Sequence, residues 1–203
     1  SSSSVYGDTP TLPKIEEMSP LPKSPYAVSK LAGEYYCQVF HRIYGLDTVC
    51  LRYFNIFGPS QDPNSDYAAV IPRFISAMLR GTRPIVYGDG LQSRDFTYVD
   101  NVVNANIEAC ERDGVGGEVF NIACGARYSL LRLIELINST LGMNIDPIYQ
   151  EPRKGDVKHS LADISKAKRL LGYDPLVDFQ EGIKKTIIFY QDGKKDKGSQ
   201  DNR

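Results

Sequence analysis

The chain has 203 residues, a net charge of -1 and 41% hydrophobic residues, enough for one sizeable core or two small lobes. Its basic residues are scattered, so nothing suggests a nucleic-acid face, and its apolar runs fall far short of a membrane span. With only His41 and His159 as histidines, a zinc site or a Ser-His triad has little support.

The chain opens on a serine run, Ser1 to Ser4, followed by Val5-Tyr6-Gly7. It starts on Ser with no lead-in before a motif, which predicts a piece of a longer protein or a truncated product. Ser24 can cap a helix, Pro25 suits its first position and Gly45 can end it. Between them Val28, Leu31, Ala32, Tyr35, Tyr36, Val39, Phe40 and Ile43 recur at helical spacing. Residues 48–54 are mostly apolar, as in a buried parallel strand, and lead into the loop Asn55 to Pro59, where open α/β sheets place ligands. Residues 68–80 predict a helix stopped by Gly81. Residues 84–87 and 94–99 flank Gly88-Asp89-Gly90 and predict a β-hairpin. Asp100 is expected to cap a helix to Arg112, and residues 119–123 to form another buried strand. Ser129 and Gly142 bracket a helix, residues 147–149 form a short strand, and Asp163 and Gly172 bracket one more helix. Asp178 with Glu181 resembles a capping box for the last helix. Polar residues 193–203 predict a disordered tail. The alternation argues an α/β fold.

Cys37, Cys50, Cys110 and Cys124 lack paired spacing and read as reduced core thiols. No signal peptide is recognisable, and the thiols predict a cytoplasmic protein.

The chemistry centres on Tyr26 and Lys30. One helical turn apart, they share a face. A fixed positive charge beside a phenol favours the phenolate. A hydroxyl from a nearby strand end could hold a substrate oxygen against it. Such a base suits alcohol deprotonation coupled to hydride transfer to a nicotinamide. Taken alone, the pair also reads as a solvated surface pair. No Gly-x-Gly-x-x-Gly or similar run follows a strand, so the phosphate-cradling half of a dinucleotide fold is absent from these residues.

Five ordered segments carry a resemblance: Ser-Ser-Ser-Val-Tyr-Gly, Ser-Pro-Tyr-Ala-Val-Ser-Lys, Leu-Arg-Tyr-Phe-Asn-Ile-Phe-Gly-Pro, Arg-Asp-Phe-Thr-Tyr-Val-Asp and Arg-Lys-Gly-Asp-Val-Lys-His-Ser. Together they resemble the extended short-chain dehydrogenase/reductases that act on nucleotide sugars, and most of all the UDP-hexose 4-epimerases that accept UDP-N-acetylglucosamine. The resemblance implies the C-terminal part of an NAD-binding Rossmann fold interleaved with a smaller α/β substrate-binding domain. Residues 1–58 and 97–123 would be the Rossmann portion, and residues 59–96 and 124–192 the UDP-sugar domain. By the same resemblance Tyr26 would be the base, and Lys30 would bind the nicotinamide ribose. Ser2, four before Tyr6, would be the catalytic hydroxyl. Ser3 and Ser4 would line the sugar pocket, with Tyr53 and Phe54 near the nicotinamide. Asn55 would meet sugar or diphosphate, and Ala69 and Val70 would offer backbone N–H groups to the diphosphate. Ile85 and Tyr87 would frame uracil. Arg94 and Arg153 would pair with phosphate oxygens and Asp156 with the ribose hydroxyls. Tyr53 and Phe54 are as readily core residues, and either arginine singly could be a surface ion pair.

Dehydratases of this family resemble Thr-Asp-Glu-Val-Tyr-Gly at the serine run, and decarboxylating relatives carry a Glu there. Ser3 and Ser4 supply no general acid, which leaves reversible oxidation at C4. Ser160, where epimerases restricted to non-acetylated sugars tend to hold a tyrosine, leaves room for an acetamido group. The expected cofactor is NAD, and the expected assembly is a homodimer through the helix bearing Tyr26, without nucleic acid or membrane. Two rivals stay open: a UDP-uronic acid 4-epimerase, and a non-catalytic UDP-sugar-binding module.

Overall fold

The computed structural model describes residues 1–65, 69–152 and 157–198. A 3-10 turn at Ser3–Tyr6 is followed by α1 (Pro25–Tyr44), β1 (Cys50–Tyr53), β2 (Ile56–Phe57), α2 (Val70–Leu79), β3 (Ile85–Tyr87), β4 (Ser93–Arg94), β5 (Thr97–Tyr98) and α3 (Val99–Glu111). Then come β6 (Val119–Ile122), β7 (Tyr128–Ser129), α4 (Leu130–Leu141), β8 (Ile148–Gln150), α5 (Ser165–Leu171) and α6 (Phe179–Gly198). Strands and helices alternate, as expected of an α/β chain. None of the described helices is long and apolar enough to cross a membrane.

The chain divides into two compact units. The first comprises Ser1–Ile56, Arg94–Arg127 and Val157–Val177. Its centre is β1 paired in parallel with β6, in the register Cys50↔Val119 to Tyr53↔Ile122. Every residue of β6 is buried, the pattern of a parallel strand covered on both faces. Leu51, Phe54, Phe120, Ile122, Leu171 and Tyr173 join one apolar cluster, each worth about 1.5–3 kcal/mol of burial. At the opposite edge of β1, Ser2 makes a parallel bridge with Tyr53.

The second unit comprises the described parts of Phe57–Ser93, Tyr128–Asp156 and Asp178–Arg203. Here β3 pairs in parallel with β8, Ile85 facing Ile148 and Tyr87 facing Gln150. Phe74, Ile75 and Met78 of α2, Leu133 and Ile137 of α4, and Ile183 and Ile187 of α6 are buried. These spacings place one apolar face on each helix. The cap of α4 is the expected one: Ser129 Oγ accepts from Arg132 N–H at 3.1 Å, and Gly142 ends the helix at φ 65°.

Several expectations need correction. Residues 157–177 belong with the first unit, although the sequence grouped them with residues 124–192. Backbone bonds bind them there: Lys14 N–H to Leu161 O (2.8 Å) and Asp163 N–H to Lys14 O (2.9 Å). Tyr173 OH also donates to Ala123 O at 2.9 Å. The first unit takes in Arg94 to Phe96 as well, ahead of the expected start at residue 97. The hairpin around Gly88-Asp89-Gly90 does not form. β3 takes β8 as its partner, and Gly88 N–H donates to Gln150 O at 2.8 Å. Tyr98 holds the N-cap of α3, with Asp100 inside the first turn, where its charge faces the positive helix end. Cys110 is exposed and so is not a core thiol. α6 runs on to Gly198 through part of the expected tail, since lysine is a good helix former. Residues 199–203 lie outside the described residues.

Candidate active site

The first unit presents the Tyr26–Lys30 pair as expected. Ser24 Oγ accepts from Ala27 N–H at 3.1 Å, Pro25 opens α1, and Gly45 closes it at φ 66° with its N–H on His41 O. Tyr26 therefore lies in the first turn. Its phenol is 56% exposed, so its ring is not spent on the core. Lys30 Nζ lies 5.4 Å from the Tyr26 ring centroid, the same-face geometry that the spacing predicts.

The serine run is ordered beside this helix. Ser2 caps the 3-10 turn, its Oγ accepting from Ser4 N–H at 3.2 Å, and its bridge to Tyr53 ties it to β1. Ser4 Oγ is buried and has no hydrogen-bond partner among the described residues. Such a group calls for a functional or solvent partner. The Ser1 hydroxyl donates to Glu34 Oε1 at 2.5 Å.

At the end of β1, Tyr53 OH donates to Asn106 Oδ1 at 2.9 Å. Phe54 is buried, with its ring 6.1 Å from that of Tyr6, so its side chain is a core group. Asn55 adopts φ 37°, a left-handed conformation that asparagine tolerates better than most residues. Its amide donates to Asp95 O (3.1 Å) and to Ser160 Oγ (3.3 Å), which brings two expected substrate residues together. Arg94 donates to Lys158 O at 3.2 Å.

A cavity of about 700 Å³ opens beside β1, lined by Ser1, Lys30, Glu34, Cys37, Tyr53 and Asn106 among others. Lys30 and Tyr53 face it; Tyr26 does not line it.

In the second unit, Ala69 is the N-cap of α2 and no side chain caps that end. Among the described residues no side chain caps the first N–H groups of the helix, the arrangement that suits an anion. Val70 is the first helical residue. Ile85 and Tyr87 share a face of β3, while Val86 between them is fully buried on the other. Arg153 and Asp156 lie outside the described residues.

Sequence reasoning missed the buried polar groups behind these residues. Asp95 is fully buried, and its carboxylate accepts from Cys124 N–H (3.0 Å), Gly125 N–H (3.1 Å) and Ala162 N–H (3.2 Å). Burial pushes its pKa up from 3.8 to about 6, against the downward pull of those backbone donors. The clamp fixes the segment that follows Ser160. Glu34, buried on α1, receives Arg52 Nε at 2.9 Å and Nη2 at 2.7 Å. Burial disfavours the Arg52 charge, but the Glu34 bonds and Tyr6 outweigh it and raise its pKa. The available signal for Glu34 was its position one turn beyond Lys30, and for Asp95 its place beside Arg94.

A protein-family model, described as "NAD dependent epimerase/dehydratase family", matches residues 1–123. Among solved structures, a UDP-N-acetylglucosamine 4-epimerase from Methanobrevibacter ruminantium M1, in complex with UDP-N-acetylmuramic acid, superposes with TM-score 0.91 at 48% identity. That match covers 95% of this chain and 62% of the other. A UDP-glucuronic acid 4-epimerase from Bacillus cereus, in complex with UDP-glucuronic acid and NAD, superposes with TM-score 0.86 at 35% identity, covering 95% and 60%. The UDP-glucose 4-epimerase of Mycolicibacterium smegmatis is 38% identical over 191 residues, 94% of this chain and 60% of the relative. The chain thus spans about three-fifths of the length of the proteins it matches.

Proposed function

The chain belongs to the NAD dependent epimerase/dehydratase family, and from that premise we propose that the full-length protein is an NAD-dependent UDP-hexose 4-epimerase. Its substrates are UDP-N-acetylglucosamine and UDP-N-acetylgalactosamine, with UDP-glucose and UDP-galactose as smaller alternatives. The observation that carries this reading is an exposed Tyr26–Lys30 face on α1 beside a run that holds only serines.

Tyr26 takes the proton of the substrate 4-OH and returns it after the sugar has turned. The Ser2 hydroxyl, fixed by its bridge to Tyr53, steadies that oxygen. When bound, NAD would supply the acceptor and donor for the C4 hydride. Lys30 and the Tyr53 hydroxyl are the exposed or cavity-lining polar groups suited to hold that cofactor. Ser3 and Ser4 bring no carboxyl to the sugar, so water is not eliminated. In the second unit the α2 N-terminus at Ala69 and Val70 is assigned to the diphosphate, Ile85 and Tyr87 to the base, Arg153 to phosphate and Asp156 to the ribose; Arg94 of the first unit is assigned to phosphate on the resemblance alone. Asn55 and Ser160 face the sugar. In this reading the unit containing β1 is the remaining cofactor portion, and the unit containing β3 binds the nucleotide.

The protein is cytoplasmic and works as a homodimer through α1, on which Tyr35, Tyr36, Phe40 and Ile43 are exposed. It engages neither nucleic acid nor membrane. The test is incubation of the full-length protein with UDP-N-acetylglucosamine, with UDP-glucose and UDP-glucuronic acid in parallel, resolved by chromatography. Conversion to the 4-epimer with no net NADH is expected. Absence of conversion of every UDP-sugar, with UDP binding retained, makes it a binding module instead.

A further inference from the structure

Of the twenty residues in α1, only Ala27 and Glu34 are buried. A carboxylate buried on a helix that leaves most of its apolar groups outside needs a reason beyond stability, since buried ion pairs add little of it. Glu34 touches three elements at once. Its own helix carries Tyr26 and Lys30. Its Oε1 receives the Ser1 hydroxyl, next to Ser2, at 2.5 Å. Both its oxygens receive Arg52 of β1, whose next residue, Tyr53, bridges Ser2. Arg52 is itself held: its guanidinium carbon lies 4.7 Å from the Tyr6 ring centroid, and Nη1 donates to Glu16 O at 3.3 Å. Tyr6 OH in turn donates to Asn121 Oδ1 of β6 at 2.7 Å.

We infer that the Glu34–Arg52 pair is a positioning device that fixes the serine run and β1 against the helix bearing Tyr26. The planar fork of Arg52 fixes direction as well as distance, which a lysine could not do. Ser2 and Tyr26 come from different elements, and this pair is a buried side-chain link between them. The catalytic consequence rests on the epimerase reading above; the structural coupling does not.

The test replaces the pair with an uncharged one, Glu34→Met with Arg52→Met, in the full-length protein. Buried pairs exchanged for apolar residues of similar volume commonly keep stability, so folding is separable from positioning. Hydrogen exchange is expected to quicken in the Ser3–Tyr6 turn and the first turns of α1 while β6 keeps its protection. With UDP-N-acetylglucosamine, kcat is expected to fall about 10- to 100-fold with KM nearly unchanged. In that background Ser2→Ala is expected to add little, because the hydroxyl is already misplaced. Arg52→Lys, which keeps the charge and loses the fork, is the second variant, with an intermediate loss of kcat expected. Exchange that quickens uniformly, or Ser2→Ala costing the same in both backgrounds, overturns the inference. Absence of turnover in the wild type sinks the epimerase reading alone, and hydrogen exchange then decides the coupling.

Discussion

In the first unit, the residues around Tyr26, Ser2 and Asn55 are tied by buried charge: Glu34 with Arg52, and Asp95 on three backbone N–H groups. In the second unit, Ala69, Val70, Ile85 and Tyr87 are set by the α2 terminus, by a parallel strand pair and by an apolar core around Phe74 and Leu133. On the proposed reading, the contrast follows from what each set must do. Groups that exchange a proton with a sugar hydroxyl must keep their distance to a fraction of an ångström. Groups that hold a nucleotide can rely on backbone donors and shape. Side-chain networks give the first, and regular secondary structure gives the second.

The comparison breaks most sharply at Tyr26. Tyr26→Phe removes the proposed base and leaves its helix intact, so kcat is expected to fall about 100- to 10,000-fold while the UDP-sugar dissociation constant, read by calorimetry, stays within a few-fold. Next is Arg52→Ala, which strands the Glu34 carboxylate. About 3–5 kcal/mol of stability is expected to go, read by denaturant unfolding. Asp95→Asn is smaller, about 1–3 kcal/mol for donors left without an acceptor. It also carries a pH signature. The folded pKa of Asp95 is raised from 3.8 to about 6, so the folded state binds the proton more tightly. Its stabilising contribution is full below about pH 4 and is lost as pH rises through about 6. The stability gap between wild type and Asp95→Asn is therefore expected to be wider at pH 4 than at pH 7. Smallest is Ser24→Ala, which removes the α1 cap for about 1 kcal/mol. A melting shift confined to α1 would sharpen the view that Glu34 anchors this helix independently of its cap.

Local signals were legible where one residue decides one turn. Ser24, Pro25 and Gly45 bound α1, and Ser129 and Gly142 bound α4, as their chemistry dictates. Tyr26 and Lys30 could be placed on one face by counting. Long-range pairing was not legible. The Gly88-Asp89-Gly90 turn signal pointed to a hairpin, yet β3 reaches to β8 far along the chain, because a parallel partner leaves no mark in the turn. The apolar spacing of α1 showed a helix, yet Tyr35, Tyr36 and Phe40 are exposed and the two buried positions hold Ala27 and Glu34. Periodicity reports which residues share a face and is silent on what covers it. Asp95 was hidden for another reason: its partners are backbone N–H groups of Cys124, Gly125 and Ala162, which any residue types would supply.

The central claim is reversible oxidation at C4 by a Tyr26 base with no acid at Ser3 or Ser4. It is tested most directly with UDP-N-acetylglucosamine carrying deuterium at C4, the product being read by mass spectrometry and NMR. The account predicts the 4-epimer with deuterium still on C4 and C6 unchanged, because the same hydride leaves and returns. A 4-keto-6-deoxy product, or deuterium lost to solvent, would contradict it.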